Sequence, residues 1–182
     1  MNFLFELGQL RRIKHEGWKI IGVKDPESVA EHSLRAAQLG YILAGMEKYK
    51  SPEKVASMLV FHDIGECRIG DIHKIANRYV KADEAGAVED QTEELGKIGK
   101  EIKSLWGEAE YCKTVAGQIA KDADYLEQAV TAREYIVQGY DGAQDWLNNI
   151  AKKIKTASAK KLLKEISKAN PNEWWKGLKK LS

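Results

Sequence analysis

Apolar positions recur along most of the chain with the period of a helix rather than a strand. Val55, Met58, Leu59 and His62 fall at i, i+3, i+4 and i+7, so a stripe suited to burial ends on a histidine, with Asp63 directly after it. Val29, His32, Ala36, Leu39, Gly40 and Leu43 share one side of an earlier helix. Ile119, Ala123, Leu126 and Val130 form a third stripe, with Asp124 beside it. Periodicity and breakers predict helices near 2–14, 27–48, 52–64, 84–106, 109–120, 121–139, 143–155, 157–168 and 171–178. Only three prolines interrupt the chain, and no alternating β-branched run has strand length. The expected fold class is all-α, a single compact domain of about eight to nine helices spanning residues 1–182.

Local signals set the boundaries. Asp25 as cap with Pro26 in the first turn predicts the start of the second helix, and Ser51-Pro52-Glu53 the start of the third. The connector Lys48–Lys50 is short, so these two helices are expected to be antiparallel neighbours. Cys67–Val80 is the least periodic stretch of the middle chain and reads as a loop over whatever site His62 and Asp63 form. Gly86, Gly96 and Gly99 weaken the helix that follows.

Composition changes little. With 43% hydrophobic and 31% charged residues, the chain fits the soluble globular class, and no apolar run is long enough to span a membrane. The N-terminus carries an acid within a short apolar stretch and no basic start, unlike a signal peptide. A cytoplasmic location is expected. Cys67 and Cys112 lack metal or redox spacing, and Cys67 reads as a small packed residue. The net charge of +2 hides an uneven distribution, because residues 151–182 carry ten lysines against Glu165 and Glu173. Ile154, Leu162, Leu163 and Ile166 interleave with those lysines at helical spacing, which favours a packed helix with a solvated face over a nucleic-acid surface. Trp174 and Trp175 are expected to clasp the C-terminus onto the domain or onto a partner subunit.

The chemistry lies in the polar residues on the apolar stripes. An imidazole or carboxylate facing a core needs a partner: a hydrogen bond satisfies one such residue, and a divalent metal ion satisfies several at once. His32, His62, Asp63 and Asp124, on three helices, are the candidate ligands, with Asp122 an alternative to Asp124. With two nitrogens, two carboxylates and no thiolate, one Mn, Co, Ni, Fe or Zn ion is the expected cofactor.

The order His32, His62-Asp63, Asp124 resembles the HD-domain superfamily of metal-dependent phosphohydrolases. The blocks around Trp18 to Ser33, Phe61 to Ile72 and Lys121 to Tyr135 are similar to the small HD-domain 5′-deoxynucleotidase family. That resemblance implies a metal-site core over roughly residues 10–140, followed by lysine-rich helices over 143–182. It implies a metal-activated water that removes the 5′-phosphate of (deoxy)nucleoside monophosphates, and commonly a homodimer. Glu66 and Asp71 match two further acids of the family's site, and Trp18 an aromatic of its nucleotide pocket. Where the family carries an arginine before the tryptophan, this chain reads Lys14-His15-Glu16-Gly17, which leaves His15, Lys14 or Arg12 to meet the phosphate. Two alternatives remain open: an HD phosphohydrolase acting on an alarmone or cyclic dinucleotide, and a non-catalytic nucleotide-binding module.

Overall fold

A computed structural model describes residues 1–178, and among them the regular structure is entirely helical. The elements are α1 (Asn2–Leu7), α2 (Val29–Met46), α3 (Pro52–Phe61), α4 (Glu66–Ile69), α5 (Glu84–Thr92), α6 (Gly96–Tyr111), α7 (Val115–Val137), α8 (Gln144–Ala151) and α9 (Ala157–Ile166). Several 3₁₀ turns join them, including Gly8–Arg11 and Glu16–Ile21. No helix among the described residues is long and apolar enough to cross a membrane.

The second helix starts later than Asp25 and Pro26 suggest. Ser28 caps it: its Oγ accepts the Glu31 N–H at 3.3 Å, and the Glu31 carboxylate accepts the Ser28 N–H at 2.6 Å. This reciprocal box satisfies two orphan donors, whereas Asp25 is drawn off to Lys14, 2.8 Å away. Before α2 the chain doubles back on itself, with Lys14 paired antiparallel to Ser28. The Val29 N–H donates to the Ile13 carbonyl and the His15 N–H to the Glu27 carbonyl, both at 3.0 Å. That short pairing sets His15 beside the first turn of α2.

Helices α2, α3 and α7 pack on one another around Leu43, Val55, Met58, Leu59, Ile119 and Leu126, all essentially inaccessible to solvent. A Cβ at Gly40 would lie 2.3 Å from Leu59 Cδ1 and 3.2 Å from Val55 Cγ1. The missing side chain therefore lets α2 approach α3 closely, bringing together the two helices that carry His32 and His62. Helix α3 ends at Phe61, short of the expected 64, so His62 and Asp63 stand in the turn leading to α4.

Other boundaries differ from expectation as well, the first at once: the expected 2–14 helix ends at Leu7 and passes into the 3₁₀ turn Gly8–Arg11. Gly96, at φ +57°, divides the anticipated 84–106 helix into α5 and α6, and α6 runs on to Tyr111. The anticipated break at 120/121 is absent: α7 is continuous, capped by Thr114, whose Oγ1 accepts the Gly117 N–H at 2.9 Å. Residues 171–178 form turns rather than a helix. Trp174 and Leu178 are about three-quarters and two-thirds exposed, so the tryptophan clasp onto the chain's own domain does not form. Cys67 is only half-buried, and burial pushes its thiol up to about 11, which leaves it a poor nucleophile at neutral pH.

Candidate metal and substrate site

Four donor atoms converge where α2, the end of α3 and α7 meet. His32 Nε2 lies 3.3 Å from His62 Nε2, 3.3 Å from Asp124 Oδ1 and 3.7 Å from Asp63 Oδ2. His62 Nε2 lies 3.1 Å from the same Asp63 oxygen. Each imidazole is oriented through its other nitrogen. His62 Nδ1 donates to the Leu59 carbonyl at 2.8 Å, while His32 Nδ1 is hydrogen-bonded to Glu127, a carboxylate with no solvent exposure. Both Nε2 atoms therefore face the cluster, an arrangement that fixes tautomer and ring orientation for metal binding.

The cluster is acceptor-rich and buried. Burial alone would lower His32 and raise Asp124, but the charged neighbours outweigh it. Asp124 and Glu127 raise the His32 imidazole well above its ordinary value, and Lys121, His32 and His62 hold the Asp124 carboxyl well below its own. His32, His62 and Asp124 bring their donor atoms close enough to share one ion, and Asp63 Oδ2 lies near both imidazoles, a set that fits a divalent cation.

Asp124 is fixed by neighbours, its Oδ1 accepting from Gln128 Nε2 at 3.0 Å and its Oδ2 lying 3.0 Å from Lys121 Nζ. Asp122, the alternative, points elsewhere: its carboxylate accepts the N–H groups of Lys155 and Thr156 at 3.1 and 2.7 Å, tying α7 to the start of α9. The two aspartates are two residues apart and so lie on different sides of the helix.

Glu66 opens α4 and has one carboxylate oxygen, Oε2, that is buried without a hydrogen-bond partner. Burial and the charges of Asp63, Asp71 and Glu84 push its carboxyl up to about 10, so in the metal-free protein it is a neutral acid. Asp71 is half-buried, and its Oδ2 accepts the Glu16 N–H at 2.6 Å, pinning the 3₁₀ turn that carries Trp18.

Beside the cluster opens a cavity of about 490 Å³, lined by His15, Trp18, Asp71, Gln128 and Trp146 among others. The 71–75 segment forms part of its wall, as expected of the loop after His62-Asp63. Trp18 is only 2% exposed and stacks on Trp146 at 4.7 Å, so it forms the inner wall and Trp146 shares the aromatic surface. His15 lines the cavity with its ring 4.4 Å from that of His32 and its Nδ1 3.4 Å from Glu27. Lys14 and Arg12 do not line it: Lys14 is paired with Asp25, and Arg12 is exposed.

Several residues of the site escape the sequence reading. Glu127 falls three residues after Asp124 and next to the buried Leu126, so a glutamate on that inward face was a readable signal. Arg35 supports it, donating from Nε to Glu127 at 2.8 Å and from Nη1 to Glu134 at 2.9 Å. Glu84 stands behind Asp63, and burial together with Glu110 and Asp63 pushes it up to about 7. Lys74, Lys153 and Trp146 reach the cavity from distant segments with no local signature. Glu127→Ala should weaken metal affinity roughly 10–100-fold, the usual cost of losing a group that orients a ligating histidine. A chelator-competition titration matching wild type would remove Glu127 from that role.

Comparisons with known proteins agree in where they match. A family model described as HD domain matches residues 7–178. A 5′-deoxynucleotidase of Dictyostelium discoideum is 36% identical over 145 residues, covering 74% of this chain and 76% of its own. A conserved hypothetical protein from Pyrococcus furiosus superposes with a TM-score of 0.78 at 30% identity, over 92% of this chain and 99% of that one. The HD phosphohydrolase of cyanophage S-2L, bound to dA and one catalytic zinc ion, shares the fold at 17% identity, with a TM-score of 0.59 over 91% of this chain and 96% of its own.

Proposed function

Because this chain belongs to the HD-domain family, we propose that it is a metal-dependent phosphomonoesterase that removes the 5′-phosphate from nucleoside monophosphates, preferentially deoxynucleotides. The observation that carries this reading is the convergence of His32, His62, Asp63 and Asp124 next to a nucleotide-sized, aromatic-lined cavity, whose lining residues His15 and Gln128 touch His32 and Asp124. These four residues would hold one divalent ion, of which Mn, Co, Ni, Fe and Zn suit the donor set. When bound, such an ion supplies Lewis acidity, acidifying water and offsetting charge on the phosphate.

The chain's own groups supply the rest. Hydrolysis forms one P–O bond to water and breaks the bond to O5′, which must gain a proton as it leaves. Glu66 is buried beside Asp63 and has a carboxyl oxygen free of other partners, so it is the group placed to hold and deliver that proton. Asp71 is committed to the Glu16 amide and acts by positioning the turn that bears Trp18. Trp18 and Trp146 offer the apolar surface that favours a nucleoside over a simple ester. That surface separates this reading from one of a bare phosphate-ester site.

The test is phosphate release from dAMP, dTMP, AMP and a simple aryl phosphate, with and without chelator. Deoxynucleotides should be hydrolysed most efficiently and chelation should abolish turnover. Equal efficiency on all four esters would end the deoxynucleotidase reading.

We further assign the protein to the cytoplasm and to a homodimer, in which the exposed Trp174, Trp175 and Leu178 would be covered by the partner. Light scattering at micromolar concentration should give twice the mass of the chain; a strict monomer would count against the dimer.

A further inference from the structure

The cavity has a cationic side that neither the sequence motifs nor the metal cluster accounts for. Lys74, from the segment after α4, and Lys153, just beyond α8, both line it. Lys153 Nζ lies 5.4 Å from the centre of the Tyr125 ring, and Lys121 Nζ lies 5.5 Å from the same ring. Three ammonium groups from three segments thus gather beside Asp124. Lys121 is neutralised by Asp124. Among the described residues, Lys74 and Lys153 make no ion pair with any carboxylate.

The acids nearest them are already engaged. Asp124 is held by Lys121 and Gln128, Asp71 by the Glu16 amide, and Asp145 by Asn149 Nδ2 at 2.8 Å. His15 and His73 line the same cavity and add no negative charge. Burial and the facing Lys153 lower the Lys74 ammonium to about 8, against the opposing pull of Asp124. Both residues are exposed at the cavity's edge, yet the two ammonium groups stay together. These two are directed at one wall, one of them braced on an aromatic face.

We propose that Lys74 and Lys153 form the phosphate clamp of this site, binding the dianionic 5′-phosphate of the substrate in place of an arginine on the Trp18 turn. This rests on the phosphomonoesterase reading for the identity of the ligand, but the anion site itself follows from the two unpaired ammonium groups. A dianion answers a pair of cations better than a monoanion does, and two flexible lysines accept it as point charges without the planar fork of a guanidinium. The clamp lies on the side of the cavity nearest Asp124, so the phosphate would be drawn toward the cluster while the nucleoside meets Trp18 and Trp146.

The experiment uses Lys74→Gln, Lys153→Gln, the double variant and the corresponding arginine substitutions in the metal-loaded protein. Three quantities are read: the Kd for dAMP in a Glu66→Gln background that turns it over slowly, the Kd for deoxyadenosine, and the inhibition constant of inorganic phosphate. Each glutamine variant should weaken dAMP and inorganic phosphate about tenfold, the scale of one charge-assisted contact, and the double variant should weaken them further. Deoxyadenosine, which lacks the phosphate, should bind within about twofold of wild type, and arginine at either position should restore most of the loss. Unchanged phosphate inhibition in the double variant overturns the proposal. Parallel loss of deoxyadenosine affinity does so too, because the lysines would then be shaping the pocket. Should wild type hydrolyse no nucleotide while dAMP and phosphate still depend on both lysines, the enzymatic reading fails and the anion site stands.

Discussion

His62→Ala is expected to leave a folded protein that retains no stoichiometric metal and releases phosphate at background rate. The His62 ring is buried and its Nδ1 donates to the Leu59 carbonyl, so its removal costs some stability, which a melting curve reads separately from metal content. His62 supplies one of the two imidazole nitrogens of the cluster, and a site left with a single nitrogen and carboxylates holds a borderline cation much less tightly. Loss of the ion removes several kcal/mol of transition-state stabilisation, roughly a thousandfold or more in rate. Elemental analysis finding full metal in this variant would sink the ligand assignment. Asp122→Ala is the matched control. It should keep its metal and lose stability instead, because it releases the Lys155 and Thr156 amides. If Asp122→Ala strips the ion and Asp124→Ala does not, the last ligand is misassigned by two positions.

Glu66→Gln should retain metal and nucleotide binding yet lose about 10²–10⁴-fold in turnover, the usual contribution of a positioned proton donor. The same substitution should make the metal-free protein more stable at alkaline pH. Glu66 holds its proton up to about 10 in the folded chain, against an ordinary value of 4.5. Between those values the folded state binds more protons than the unfolded one, so stability falls as pH rises through the interval. Glutamine has no such proton to lose, and its melting temperature in chelator should exceed that of wild type at pH 8 and match it near pH 4. An activity close to wild type would make Glu66 structural and Asp71 the better candidate. A melting temperature below wild type at both pH values would show that the carboxyl is not buried against repulsion.

The legible parts of this protein were those that leave a local trace. Helical periodicity exposed His32, His62 and Asp124 because each interrupts an apolar stripe, and the all-α class followed from the same pattern. Boundaries were less legible. Asp25-Pro26 outcompeted Ser28-Val29-Ala30-Glu31 as a start signal, although the latter is itself a readable capping box. The 84–106 segment looked continuous because nothing in its pattern announces that Gly96 adopts a positive φ. Glu127, three positions after Asp124, reads in sequence as one more acid on a helix, and only its contact with His32 Nδ1 reveals its part in the site. Lys74 and Lys153, 79 positions apart in sequence, become neighbours only through the path of the backbone, and a chain read linearly holds no record of that meeting.

The ligand arrangement also bears on how the chain holds together. His32 and His62 are 30 residues apart, and Asp124 follows after α4, α5 and α6, yet their side chains meet at one point. An ion seated there would fasten three distant segments at a single knot and close two long loops in the native state. Loop closure costs entropy that grows only slowly with length, so one such fastening restrains most of the first 124 residues at modest expense. Resistance to heat and proteolysis would then track metal supply, and a cell starved of the ion would hold a looser, shorter-lived protein as well as an idle one.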